Sequence, residues 1–178
     1  LSALGDVNGD GLDDLGVATS VLTSSTTQSN FFNVLYGTAA GADIAIPYVS
    51  AGGSFAGGYA LLAAGPTTAS TQFFGRGTGG DVNGDGYADV MFRTENADSS
   101  GGNIDVFYGS PTGVSGNGNT IGTAGNGKGY RITGFDVRID KGIAGVGDIN
   151  GDGLDDLAVH YFNSNVTPNI AQVYEVGK

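Results

Sequence analysis

The chain has 178 residues, with 18 Asp and Glu against seven Lys and Arg, one His, no Cys and a formal charge of -11. That length can bury a core as one domain. The few basic residues are scattered, which argues against nucleic acid and anionic membrane as partners, since both need clustered positive charge. No disulfide can brace the fold, and no apolar run approaches the ~18 residues of a membrane-spanning helix.

The first element is a loop, GDVNGDGLDDL, from Gly5 to Leu15. It runs straight into an apolar strand signal, Leu15-Gly16-Val17-Ala18. The Thr/Ser tract from Thr23 to Asn30 reads as a connecting loop, and Val34-Leu35-Tyr36-Gly37 as a second strand closed by glycine. The same order then recurs. GDVNGDGYADV spans Gly80 to Val90, Val90-Met91-Phe92 follows, and Val106-Phe107-Tyr108-Gly109 closes the unit. The third copy is GDINGDGLDDL, Gly147 to Leu157, followed by Leu157-Ala158-Val159 and by Val173-Tyr174-Glu175-Val176-Gly177. From the first loop Asp to the closing glycine the offsets are 31, 28 and 29 residues. Short runs rich in Val, Tyr and Phe, with weak helical periodicity, predict antiparallel strands and an all-β fold. A repeating loop at this spacing predicts a repeating unit, here a single repeat domain over 1–178 with repeats at about 1–66, 67–133 and 134–178. The most biased stretch, Gly109 to Gly129, reads either as a disordered linker or as a surface loop plus a weak outer strand.

The loops carry the chemistry. Eleven of the 18 acids lie inside them, and three Ca2+ at +2 each would bring the charge from -11 to -5. Calcium takes six to eight oxygens at roughly 2.3–2.6 Å. Position 1 offers a carboxylate (Asp6, Asp81, Asp148) and position 3 an amide oxygen (Asn8, Asn83, Asn150). Position 5 offers a second carboxylate (Asp10, Asp85, Asp152) and position 9 a third (Asp14, Asp89, Asp156). Position 7 (Leu12, Tyr87, Leu154) contributes its backbone carbonyl, and glycine at position 6 (Gly11, Gly86, Gly153) permits the turn. Position 8 (Asp13, Ala88, Asp155) accepts alanine and is left out of the ligand set. One Asn-Gly or Asp-Gly would suit an ordinary hairpin turn. Three copies with acids at positions 1, 5 and 9 each time do not, because converging carboxylates repel unless a cation lies between them. An EF-hand needs Glu at position 12, where this chain has Val17, Phe92 and Val159.

Asp-x-Asn-x-Asp-Gly-x-x-Asp, an apolar strand and then Val-x-Tyr-Gly resemble the FG-GAP repeat of integrin-α-type β-propellers and the related bacterial VCBS-type repeats. The resemblance covers nearly the whole chain. It implies antiparallel four-stranded blades, with structural Ca2+ in the loop between the first two strands of each. The naming Phe-Gly appears as Phe74-Gly75 before loop two, is inverted as Gly134-Phe135 before loop three and is missing before loop one. The first unit is short of an opening strand and the last of a closing one. Starting at Leu1 without a signal peptide, the chain reads as a mature or excised piece, a partial propeller or an assembling array. The expected function is an extracellular, secreted or cell-surface recognition or adhesion module, with a protein or glycan ligand and homo-association or further repeats. The alternatives are a self-assembling subunit of a surface filament or ring, and an accessory domain of a polysaccharide-active enzyme.

No catalytic residue is assigned. Asp43, Glu95, Asp98, Asp105, Asp136 and Asp140 form no evident acid pair. Gly75 to Gly80 matches Gly-x-Gly-x-x-Gly but enters a loop, not a helix, and Gly122 to Lys128 lacks the Ser or Thr of a phosphate loop. His160, the lone histidine, reads as structural, and Asn165-Val166-Thr167 is a sequon followed by Pro168. Most of the tyrosines are expected to pack between blades, the rest to line a binding face.

Overall fold

The computed structural model describes residues 1–22, 28–41, 45–46, 53–62, 72–95, 102–115, 128–135, 142–161 and 170–174. Among them there are twelve strands, and no helix. The first sheet holds β1 (Ser2–Gly5), β2 (Asp14–Leu22), β3 (Gln28–Leu35), β4 (Gly53–Phe55) and β5 (Gly58–Leu62), in the order β1-β2-β3-β5-β4. The second is a plain meander of β6 (Gln72–Gly80), β7 (Asp89–Glu95), β8 (Gly102–Phe107) and β9 (Gly129–Phe135). The third holds β10 (Gly142–Gly147), β11 (Asp156–Tyr161) and β12 (Ile170–Tyr174). Every pairing is antiparallel.

The strands fall on the Val-, Phe- and Tyr-rich runs, each stopped by glycine or by a loop. One expectation needs correction. Gln28, Ser29 and Asn30, read as loop, open β3, where Ser29 and Asn30 are buried and pair with Val21 and Ser20. The glycine string ending at Gly80 forms the end of β6, with register shifts at Phe74/Arg76 and Thr78/Gly80. Glycine lets backbones approach where the third sheet meets β6: a Cβ on Gly145 would stand 2.8 Å from the Gly79 and Thr78 carbonyls. Of the 109–129 stretch, Gly129 begins β9 and Val114 is buried; 116–127 lie outside the described residues, as do Tyr48, the sequon, Asp43, Asp98, Asp136 and Asp140.

The sheets stack face to face, with β6 lying between β1 and β10. Strand alternation therefore splits the middle sheet between two cores. Val90, Phe92 and Phe107 join Leu4, Val7, Phe32, Val34 and Leu61 against the first sheet. Met91, Ile104 and Val106 join Val82, Ile143, Leu157 and Val159 against the third. Phe92 lies between Phe32 and Phe107, with ring centroids 5.3 and 5.4 Å away. This double-sided burial brings the first-to-second-strand connections of all three sheets to one end of the stack.

Candidate metal centre

Residues 6–13 join β1 to β2, 81–88 join β6 to β7, and 148–155 join β10 to β11. All three loops take one conformation. The glycines before position 1 and at positions 4 and 6 have φ between 73° and 91°: Gly5, Gly9 and Gly11, then Gly80, Gly84 and Gly86, then Gly147, Gly151 and Gly153. Side-chain-bearing residues are strained there, so the glycine spacing is a backbone requirement.

The position 1 carboxylate is the hub of each loop. Asp6 Oδ1 accepts the N–H groups of Gly9 and Asp10 at 2.6 and 3.1 Å, and its Oδ2 accepts that of Gly11 at 2.8 Å. Asp81 takes Gly84, Asp85 and Gly86 in the same way, and Asp148 takes Gly151, Asp152 and Gly153. The amide oxygens of Asn8, Asn83 and Asn150 accept from the position 5 N–H, and the position 5 carboxylates from the position 7 N–H. Asp14, Asp89 and Asp156 are buried, and each accepts the N–H of position 2 (Val7, Val82, Ile149) at 2.9–3.0 Å.

The closing glycine has a role that sequence reasoning missed. Gly37 N–H donates to Asp14 Oδ1 at 2.8 Å, and Gly109 N–H to Asp89 Oδ1 at 2.9 Å. A Cβ on either would come within 2.6 Å of the position 8 carbonyl, Asp13 or Ala88. The near-constant offset from loop to closing glycine was the signal: the second strand must return its end to the loop that opened the unit.

Burial sets the electrostatics. It pushes the Asp14 carboxyl up against the opposing N–H bonds of Gly37 and Val7. It pushes Asp89 up to about 7, helped by the charges of Asp85 and Asp81 and opposed by the Gly109 and Val82 N–H bonds. Asp6 is solvated; a slight burial effect is outweighed by its backbone N–H bonds, which lower it.

Among the described residues no group of three or more carboxylate, imidazole or thiol side chains is drawn together as a bound cation requires. The position 5 carboxylates of the first two loops turn instead to the Asn8 and Asn83 amide N–H groups, at 3.1 and 3.0 Å. In the third loop the Asn150 amide donates to Asp156 Oδ1 at 3.4 Å. The donor set nevertheless fits calcium in kind. A carboxylate oxygen has two lone pairs. In the first loop Asp6 Oδ2, both Asp10 oxygens and both Asp14 oxygens each accept one of these bonds, which leaves a lone pair on each. All donors are hard oxygens, the type calcium prefers.

Position 8 links the loops to one another. Ala88 N–H donates to the Asp6 carbonyl, and Asp155 N–H to the Asp81 carbonyl, both at 3.0 Å. Asp155 Oδ2 also accepts the Asp81 N–H at 2.8 Å. In the second and third loops position 8 thus lies between neighbouring units.

In comparisons with known proteins, no family model matches the chain, and no curated protein resembles it at a significant level. Among the described residues no helix is long and apolar enough to cross a membrane.

Proposed function

We propose that this chain is an FG-GAP-like repeat module whose three loops each hold one structural Ca2+, working by recognition or adhesion outside the cell. One observation carries the reading: three separate loops repeat the same set of backbone-to-carboxylate bonds around an all-oxygen donor set. The ligands are Asp6, Asn8, Asp10, the Leu12 carbonyl and Asp14, with Asp81, Asn83, Asp85, Tyr87 and Asp89, and Asp148, Asn150, Asp152, Leu154 and Asp156, in the equivalent places. A cation there offsets the repulsion among acids and the burial cost at Asp14 and Asp89. Binding energy then becomes folding energy in a chain without disulfides.

Asp105, the acid outside the loops whose side chain is described, is fully buried and held by Arg131, so it serves packing. The ligand is a protein or glycan, and an array of both classes would find it.

The test is thermal. At free calcium about 100-fold above Kd, each site adds ~2.7 kcal/mol. For a chain of this size each kcal/mol moves Tm by roughly 2–4 °C. Chelation should lower Tm by about 5–10 °C per site lost, and excess calcium should restore it. An unchanged Tm in excess chelator sinks the reading.

A further inference from the structure

Each loop carries an Asn-Gly step at positions 3 and 4: Asn8-Gly9, Asn83-Gly84 and Asn150-Gly151. Asparagine followed by glycine is a chemically weak step in a chain. The glycine nitrogen can attack the asparagine Cγ, and no Cβ on the glycine hinders it. As that bond forms, the C–NH2 bond breaks, and ammonia leaves with the proton of the glycine N–H. The product is a cyclic imide, which water opens at either carbonyl. Attack at Cγ gives Asp. Attack at the main-chain carbonyl gives isoaspartate, whose main chain runs through the side chain and is one methylene longer.

The folded loops withhold both reacting groups. The N–H groups of Gly9, Gly84 and Gly151 are held on the position 1 carboxylates at 2.6, 2.7 and 2.6 Å. A proton bound to a negative charge is hard to remove, so the nitrogen stays a poor nucleophile. The Asn8, Asn83 and Asn150 amide oxygens accept the position 5 N–H at 3.0, 2.9 and 2.8 Å. Their NH2 groups donate to loop carboxylates, so the amide carbon is fixed from both sides. The next unit adds cover at two of the loops. A Cβ on Gly9 would stand 2.4 Å from the Tyr87 ring, and one on Gly84 would stand 2.8 Å from Leu154. The Asn-Gly peptide must break these contacts before it can swing into ring closure.

We propose that the Asn-Gly step of each loop is a modification site that the closed loop holds shut, and that loss of calcium opens it to isoaspartate. The calcium gate rests on the structural-calcium reading; protection by the fold does not. At free calcium about 100-fold above Kd, the open fraction of a loop falls ~100-fold, and the reaction slows with it. The isoaspartate product cannot close the loop again. An extra chain atom between positions 3 and 4 breaks the register in which one carboxylate holds the N–H groups of positions 4, 5 and 6. The Asp product keeps that register and an oxygen donor at position 3. A loop left empty for long enough is thus closed to calcium for good.

Peptide mass spectrometry and an isoaspartate methyltransferase assay on the full chain test it, at mildly alkaline pH in three arms: excess calcium, excess chelator and concentrated urea. The chain has two further Asn-Gly steps, at Asn117 and Asn126, and in urea all five should convert at comparable rates. In calcium, Asn8, Asn83 and Asn150 should convert at least about 100-fold more slowly than in urea. In chelator they should convert faster than in calcium. When calcium is returned to the chelator arm, calorimetry should show sites lost in step with isoaspartate. Asn83→Asp, which makes the other product outright, should keep all three sites. Loop asparagines that convert in calcium as fast as in urea overturn the proposal. So does a chelator arm that lowers Tm yet leaves the rate unchanged, or isoaspartate that accumulates while every site still fills. A Tm unmoved by chelator sinks the calcium reading and the gate with it, while the calcium-to-urea ratio still decides whether the fold protects these steps.

Discussion

At the scale of single residues, the loops separate ligands from linkers. Asp85, at position 5, accepts only the Tyr87 N–H and the Asn83 amide, and it is exposed. Asp85→Ala should therefore remove one calcium per chain and about 2.7 kcal/mol of calcium-dependent stability at saturating metal. Asp13→Ala should leave the calcium count unchanged, and equal losses in the two variants, read by calorimetry and melting, would contradict the assignment. The Asp105–Arg131 pair is of another kind. Burial raises the Asp105 carboxyl, while the bidentate Arg131 contact lowers it. Arg131→Ala leaves that carboxylate buried without its cation, a loss of about 3–5 kcal/mol at neutral pH. A carboxyl raised in the fold favours the protonated, acid side, so the stability it contributes is present below the ordinary carboxylate range and lost as pH rises through the raised value. The deficit of Arg131→Ala should accordingly shrink in mildly acidic urea melts, and the further change Asp105→Asn should recover part of it.

At the scale of elements, the strands most legible in the sequence were those tied to a loop. Leu15–Ala18, Val90–Phe92 and Leu157–Val159 lie in β2, β7 and β11, because the loop ends where an apolar run begins. The start of β3 was harder to see: Gln28, Ser29 and Asn30 look like loop residues. Two of them are buried because tertiary packing outweighs local polarity. The β4–β5 hairpin has an apolar run, Tyr59 to Leu62, but no loop motif ties it to a unit, and in this sheet β5 rather than β4 pairs with β3. The loop ligands could be proposed from spacing alone, since glycine at fixed offsets dictates the backbone. The tasks of position 8 and of the closing glycine could not, because both are contacts across long sequence separations. The middle sheet also predicts where damage spreads. Phe92 packs on Phe32 across one junction and on Phe107 within its own sheet. Phe92→Ala should cost about 3–5 kcal/mol and loosen the first and second sheets together, seen as one shared unfolding step in denaturant.

At the scale of the whole molecule, the main sheet-to-sheet contacts among the described residues join sequence neighbours, so stability is close to a sum of unit and junction contributions. The second unit has two junctions and the outer units one each. The loop-to-loop hydrogen bonds run along one end of this stack, from Ala88 to Asp6 and from Asp155 to Asp81. Each starts at position 8 of one loop and ends on the backbone of the residue that opens its neighbour. Ordering one loop therefore pre-sets the adjacent position 1 carboxylate, and the second metal meets a site whose entropy of closure is already spent. The three loops should fill as a wave rather than independently. A calcium titration should rise more steeply than three separate sites allow, with a Hill coefficient above one, and Asp155→Ala, which removes the carboxylate contact with the Asp81 N–H but keeps the backbone bond, should flatten it in part without removing a site.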